Sequence, residues 1–211
     1  SDLVKNYNLF TDNFFRDASG TLLAIDNRNV NAGETITKGV DISLRGSTQM
    51  GAGRLTGALE GSYLLDKRSR LIASAPMGPS EIGVFTRAGD LGLRWKHSLV
   101  VSYEEGDWSG TAVQRWRAGY KDAQLPGVAN GSITPPEWQP NVGKYITYDA
   151  SLSYRGIKNL TLTAMVKNLL NDDPPFSAAY DGNTGAGSSW EPRVADPSGR
   201  SYAFTVNYKF W

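Results

Sequence analysis

Apolar and polar residues alternate with a period of two along most of the chain, most cleanly at its end. Tyr202, Phe204, Val206, Tyr208 and Phe210 fall on one face, and Ala203, Thr205, Asn207 and Lys209 on the other. Such alternation marks a β-strand with two unlike faces. It recurs upstream. Leu160, Leu162, Ala164 and Val166 oppose Thr161, Thr163, Met165 and Lys167. Ile146, Tyr148, Ala150, Leu152 and Tyr154 oppose Thr147, Asp149, Ser151 and Ser153. Leu91, Leu93, Trp95, Leu99, Val101 and Tyr103 oppose Arg94, Lys96, Ser98 and Ser102. Leu55, Gly57, Leu59, Gly61 and Tyr63 oppose Arg54, Thr56, Glu60 and Ser62, and Val40, Ile42 and Leu44 oppose Asp41, Ser43 and Arg45. Residues 107–118 are less regular. Trp108, Gly110, Ala112 and Trp116 share a face, which leaves Gln114 among them as a polar exception. Residues 1–8 read as one more strand, giving about eight.

From residue 46 onward the connections alternate in length. Short ones are expected near 46–53, 104–107 and 155–159, long ones near 66–90, 119–143 and 169–199, and residues 9–33 form a further long one. Outer-membrane barrels separate their loops this way, with short periplasmic turns and long extracellular loops. The final strand follows a long loop and so descends to the periplasm. Aromatic pairs such as Trp95 and Tyr103, Trp108 and Trp116, Tyr148 and Tyr154, and Tyr202 and Phe210 bracket their strands on the apolar face. Rings of this kind settle at the headgroup level of a membrane. The pattern therefore predicts an all-β, antiparallel transmembrane barrel.

Composition narrows the picture. Mean hydropathy is negative, and no run of 18 apolar residues occurs, so no helix crosses a membrane. In a barrel wall only alternate residues meet lipid, so the average stays polar. The net charge of +1 points to no nucleic acid. The absence of cysteine excludes disulfides and thiolate metal sites. Ser1-Asp-Leu-Val is not a signal peptide; a barrel must be exported, so either processing or a region upstream of this sequence is expected to account for it.

Eight strands can close on themselves around a lumen filled by side chains. The inward faces here are mostly Ser, Thr, Gly, Asp, Lys and Arg, many of them small, which suits a wider, wet or plugged lumen. An open sheet would show two unpaired edges to lipid. The first edge is thus expected to pair with strands beyond this sequence.

Three stretches resemble the TonB-dependent outer-membrane receptors. They are Tyr148-Asp-Ala-Ser-Leu-Ser-Tyr-Arg-Gly156, Leu160-Thr-Leu-Thr-Ala-Met-Val-Lys-Asn-Leu-Leu-Asn-Asp172 with its Asn-Leu-x-Asn ending, and Pro197-Ser-Gly-Arg-Ser-Tyr-Ala-Phe-Thr-Val-Asn-Tyr-Lys-Phe210 with its Gly-Arg lead-in. Thr37-Lys-Gly-Val-Asp-Ile-Ser-Leu44 is similar to an earlier strand of the same barrels. The resemblance implies a 22-stranded barrel enclosing a plug. The plug, the segment that contacts TonB and about fourteen strands then lie upstream of Ser1, and residues 1–211 form the C-terminal portion of the barrel. It further implies a bacterial outer-membrane import receptor that binds a scarce small molecule, by default an iron–siderophore, and draws on TonB and the proton gradient. No cofactor is implied. Its partners are the rest of the barrel and plug, TonB, outer-membrane lipid and the barrel-assembly machinery. That machinery reads the last strand, Tyr202, Phe204, Val206, Tyr208, Phe210 and Trp211. Family members end on an aromatic in phase with the outward face. Phe210 is in phase here and Trp211 is not, so both stand as candidates.

Enzymatic readings find little chemistry. The single histidine, His97, sits on an apolar face with no catalytic or metal partner at fixed spacing. Asp181–Glu191 echoes a calcium loop but breaks it at Gly185, Ala186 and Pro192. Asn171-Asp-Asp-Pro-Pro175 reads as a strand-ending turn. Arg115 and Arg117 face the lumen. Substrate contacts belong on the long loops, where Trp138, Tyr180, Trp190 and Arg193 are the candidates; the plainer alternative is that each packs its own loop. The rival readings are a small structural or adhesive barrel without transport, an outer-membrane hydrolase and a soluble lectin-like sandwich.

Overall fold

The computed structural model describes residues 4, 7–26, 33–73, 75–86, 90–122, 141–178 and 189–210. Eleven strands are present among them: β1 Phe14–Arg16, β2 Leu22–Ile25, β3 Glu34–Met50, β4 Gly53–Arg70, β5 Trp95–Glu105, β6 Trp108–Arg117, β7 Tyr120–Lys121, β8 Asn141–Val142, β9 Tyr145–Ile157, β10 Leu160–Lys167 and β11 Ser201–Tyr208. Seven form one antiparallel sheet in the order β11-β10-β9-β6-β5-β4-β3. The strand expected over residues 1–8 lies largely outside the described residues, and Tyr7–Leu9 form a 3-10 turn.

The chain divides into two compact units. The first is Ser1–Thr37 with Lys67–Ser80. It contains the β1–β2 hairpin, closed by reciprocal bonds of Asn13 with Asp26, and the Arg70–Glu34 ion pair. The hairpin lies inside the connection expected to be a plain loop over 9–33. The second unit, Lys38–Asp66 with Glu81–Trp211, holds most of the sheet.

The register carries the expected faces across the sheet, with one irregularity between Leu160 and Leu162 where β10 meets β9. Tyr63, Trp95, Gly61, His97, Trp116 and Ile146 meet on one side. So do Leu59, Leu99, Gln114 and Tyr148, and Gly57, Val101, Ala112, Ala150, Val166 and Tyr202. Ser62, Lys96, Arg117 and Tyr145 meet on the other, as do Thr56, Ser102, Thr111, Ser151, Met165 and Ala203. The polar face is stitched by hydroxyl pairs, Ser102–Thr111 at 2.9 Å and Ser153–Thr163 at 2.8 Å, and by the Arg115–Asp149 ion pair. Among the described residues no second sheet covers the apolar face, and Tyr202, Phe204 and Phe210 are 73%, 68% and 79% exposed. A water-soluble sandwich buries such a face; a barrel wall turns it to lipid.

Gln114 is satisfied on the apolar face by a bond chain whose direction is forced. The Trp95 indole can only donate, and it reaches His97 Nδ1 at 2.8 Å. His97 Nε2 must then carry the hydrogen, which goes to Gln114 Oε1 at 3.0 Å. The Gln114 amide in turn donates to the Tyr148 hydroxyl at 2.9 Å. Gly61 makes room for this chain, because a Cβ there would stand 2.6 Å from the Trp95 ring.

The short turns shrink to residue pairs: Gly51–Ala52, Gly106–Asp107 and Lys158–Asn159. Gly51 (φ 62°), Gly106 (φ 55°) and Asn159 (φ 63°) supply the left-handed residue that a tight, twisted hairpin needs. The long connections run from 71 to 94, 118 to 144 and 168 to 200. Boundaries differ from expectation at both ends of the connection expected over 66–90: β4 runs on to Arg70. Leu91 and Leu93 precede β5, and Leu91, 2% exposed, packs into a loop core instead of facing lipid.

Two of the resembling motifs meet at the end of β10. Asn168 (φ 48°) and Asn171 (φ 57°) both hold left-handed conformations. The Asn168 side chain donates to Asp172 O at 2.9 Å and accepts from Asp172 N at 3.0 Å, while its own N–H goes to Asp149 Oδ1. Asn171 Oδ1 accepts the N–H of Arg200, the residue that leads into β11. An Asn171→Ala change loses that acceptor and a residue type that tolerates positive φ, at a cost of about 2 kcal/mol. Amide exchange in Ser201–Tyr208 should quicken while β5 and β6 stay protected; unchanged exchange in β11 would deny the knot this role.

Candidate functional site

The long connections build a small core of their own. Leu91, Tyr120, Val142, Tyr145, Val194 and Ala195 are buried together, with Phe85 and Leu93 packed against them. Backbone bonds fix the arrangement: Lys121 donates to Gly83 O at 2.7 Å, Phe85 donates to Lys121 O at 2.9 Å, and β7 pairs with β8. Asp122 is buried and accepts from Ser177 Oγ at 2.7 Å and from the Ala178 N–H at 2.6 Å. The Tyr145 hydroxyl donates to Asp196 O at 3.2 Å. Loops that would move independently are thereby joined into one cap.

Arg193 is the main cross-tie. Its Nε donates to Glu191 Oε1 at 2.8 Å and its Nη2 to Glu191 Oε2 at 3.0 Å. Nη2 also reaches Thr86 O at 2.7 Å, and the guanidinium lies 5.4 Å from the centre of the Phe85 ring. Burial pushes the Glu191 carboxyl up, but the hydrogen bonds and charge of Arg193 outweigh it and hold the group below its ordinary value of 4.5. Burial pushes the Tyr120 phenol up to about 12, with Ser177 opposing and the Asp122 and Glu191 carboxylates adding to the rise.

Of the four expected contact residues, Trp138 and Tyr180 lie outside the described residues, as does most of the calcium-like stretch. Trp190 is half-buried. Arg193 sits in the tie just described. Sequence reading met Glu191 only as the end of the calcium-like stretch and passed over Tyr120, Asp122 and Ser177. The Glu191-x-Arg193 spacing is the only local signal for any of them, since the rest are joined by chain folding. In the terminal strand, Tyr202, Phe204, Val206 and Tyr208 share the apolar face of β11. Phe210 stands past its end with its ring edge-on to Tyr208 at 5.1 Å, and Trp211 lies outside the described residues.

The polar face below the cap presents Asp41, Glu60, Lys96, Arg115 and Arg117 along one groove, and Arg115, Arg117, Asp149, Lys167 and Asp196 along a second. Lys96 and Arg117 stand directly opposite one another, a like-charge pairing that a sheet ordinarily avoids.

The family model described as TonB dependent receptor-like, beta-barrel matches residues 5–169. The chain belongs to the TonB-dependent receptor β-barrel family. It is an outer-membrane protein of the Gram-negative kind, in a family of transport receptors. No match was found among curated proteins. Among solved structures, the barrel resembles the ferric-catecholate import receptor Fiu of Escherichia coli K12, with TM-score 0.51, 18% identity and 92% of this chain covered. A mutant of the ferric enterobactin receptor PfeA of Pseudomonas aeruginosa gives 0.46, 16% and 82%, and the copper transporter OprC 0.41, 17% and 85%. The chain spans 23%, 22% and 29% of their lengths.

For this TonB-dependent receptor barrel the two shifted groups bound a pH window. The Glu191 contribution is present above its ordinary value and is lost as pH falls through the depressed one; that of Tyr120 is present below 10 and is lost as pH rises toward about 12. The protection of cap amides around Leu91 and Val194, measured relative to their intrinsic exchange rate at each pH, should therefore be greatest between these limits. Glu191→Gln should flatten the acid limb and Tyr120→Phe the alkaline one. Limbs that persist in both variants would place the titrating groups elsewhere.

Proposed function

We propose that this chain is the C-terminal wall and part of the surface loops of a receptor that imports a ferric siderophore, powered through TonB. The observation that carries the reading is the family match over a wall whose inner face is polar and cationic. A ferric catecholate complex is an anion. Lys96 and Arg117, opposed on the inner wall near Lys167, suit such a cargo better than a neutral one, although Asp41 and Glu60 share the first groove, Asp149 and Asp196 share the second, and Arg115 is paired with Asp149. The fold shared with a ferric-catecholate receptor supports the same choice. Both edges of the sheet, β3 and β11, need partners in a bilayer, which supports a larger barrel completed by upstream strands and a plug. Trp138, Tyr180 and Trp190 are assigned to substrate contact. Arg193 is assigned to positioning, because its donors hold the cap.

The test is uptake of radiolabelled iron as a ferric catecholate by iron-starved cells carrying or lacking the full-length receptor. Uptake should require the receptor and collapse with a protonophore. A Lys96→Gln, Arg117→Gln double variant should raise the half-saturation concentration about tenfold, equivalent to two weakened ionic contacts. Uptake indifferent to loss of the receptor would overturn the import reading and favour a structural barrel.

A further inference from the structure

We propose that the inner wall carries a second cargo site at its periplasmic end, where Arg45 and Arg54 receive the anionic complex before its release. The inference rests on the import reading above and gives it a further step and further residues.

The site is a groove of ≈ 630 Å³ on the polar face, lined by Arg45, Ser47, Arg54, Thr56, Ser102 and Glu104. That volume falls within the span of small-ligand sites, roughly 300–1,000 Å³. The groove lies toward the Gly51–Ala52 turn, one of the short connections, and so at the periplasmic end. Arg54 and Glu104 stand directly opposite one another on β4 and β5. Opposite charges so placed ordinarily attract. Here Arg54 Nη2 donates to Ser47 Oγ at 3.0 Å instead. Among the described residues Arg45 and Glu104 have no hydrogen-bond or ionic partner. All three are exposed, and charges standing in water change partners at little cost.

The same chemistry recurs at the other end of the same strands. Lys96 and Arg117 oppose one another there, with Asp41 and Glu60 in the same groove. The two sites are eight residues apart along β5, from Lys96 to Glu104, or about 26 Å at 3.3 Å per residue. The tilt of barrel strands makes that about 20 Å of depth. Between the sites, the inward positions of β4, β5 and β6 offer an anion no free cation. Ala58, Val100 and Val113 are uncharged. Ser102 and Thr111 bond to each other at 2.9 Å, and Arg115 is held by Asp149. An anionic complex that leaves Lys96 and Arg117 therefore meets its next cations at Arg54 and Arg45. Each site sets two cations beside carboxylate, so neither holds an anion tightly. Passage requires sites attractive enough to enter and weak enough to leave. One recognition chemistry repeated at both ends of the same strands fits one ligand held twice.

The test uses a radiolabelled ferric catecholate on iron-starved cells carrying the full-length receptor. Equilibrium binding is read with the proton gradient collapsed, and uptake with it intact. An Arg45→Gln, Arg54→Gln double variant should bind the label as the parent does but reach a maximal uptake rate about fivefold lower, the effect of losing weak exposed ionic contacts. Its half-saturation concentration should not rise, unlike that of the Lys96→Gln, Arg117→Gln variant. Arg45→Lys, Arg54→Lys keeps both charges and should recover most of the rate. Heat-modifiable gel mobility verifies that each variant keeps the barrel. A glutamine variant as fast as the parent, or a lysine variant as slow as the glutamine one, would overturn the proposal. So would energy-independent entry of vancomycin into cells carrying the glutamine variant, which would assign the two arginines to holding the plug. A parent receptor that imports no label overturns the import reading and this site with it; a parent that imports beside variants that behave otherwise than expected overturns the site alone.

Discussion

In hydrocarbon no water is present to accept or donate a hydrogen bond, so every backbone N–H and C=O within the bilayer must find a protein partner. The antiparallel ladder meets this requirement, and much else follows from it. Once a strand pairs on both edges, its side chains have only two directions to take. A slip of one residue between any two strands would exchange lipid-facing and water-facing sets. The register that runs from Tyr63 to Tyr202 on one face, and from Ser62 to Ala203 on the other, meets that demand, with its one irregularity at the turn end of β10 between Leu160 and Leu162. The left-handed residues at the short turns protect the register by fixing hairpin length.

Outside the bilayer the rule relaxes, and the chain packs as a soluble protein does. The small core of Leu91, Tyr120, Val142, Tyr145, Val194 and Ala195 is built from the connections together with Tyr145, the first residue of β9. Polar groups in the cap are matched in the same way: Asp122 by Ser177 and the Ala178 N–H, Glu191 by Arg193. The Asn168–Asn171 knot joins the two regimes. It ends β10 in left-handed turns and uses a side-chain oxygen to start β11.

Legibility in the sequence divides along the same boundary. The faces of the strands could be read because period-two alternation is local, and Tyr202 to Phe210 display it within nine positions. Gln114 defied the pattern because its partners, His97 and Tyr148, come from neighbouring strands 17 and 34 positions away. The cap was illegible for the same reason on a larger scale: Arg193 ties to Thr86 across 107 positions, and Ser177 to Asp122 across 55. The start of β5 was placed too early because Leu91 and Leu93 keep the alternation going while serving a different core. The Asn-Leu-x-Asn and Gly-Arg motifs were visible as a resemblance, but only folding shows that they bond to each other.

The central claim is that one face of this sheet meets lipid and the other meets water. This chain has no cysteine, so once any cysteine elsewhere in the full-length receptor is replaced, single cysteines placed in turn along Ser109–Arg117 can carry a spin label in membranes. Collision with oxygen, which concentrates in lipid, should peak at Gly110, Ala112, Gln114 and Trp116. Collision with a water-soluble nickel chelate should peak at Ser109, Thr111, Val113, Arg115 and Arg117. Two profiles that rise and fall together, or water access at Ala112 equal to that at Thr111, would contradict the assignment of the faces and the barrel with it.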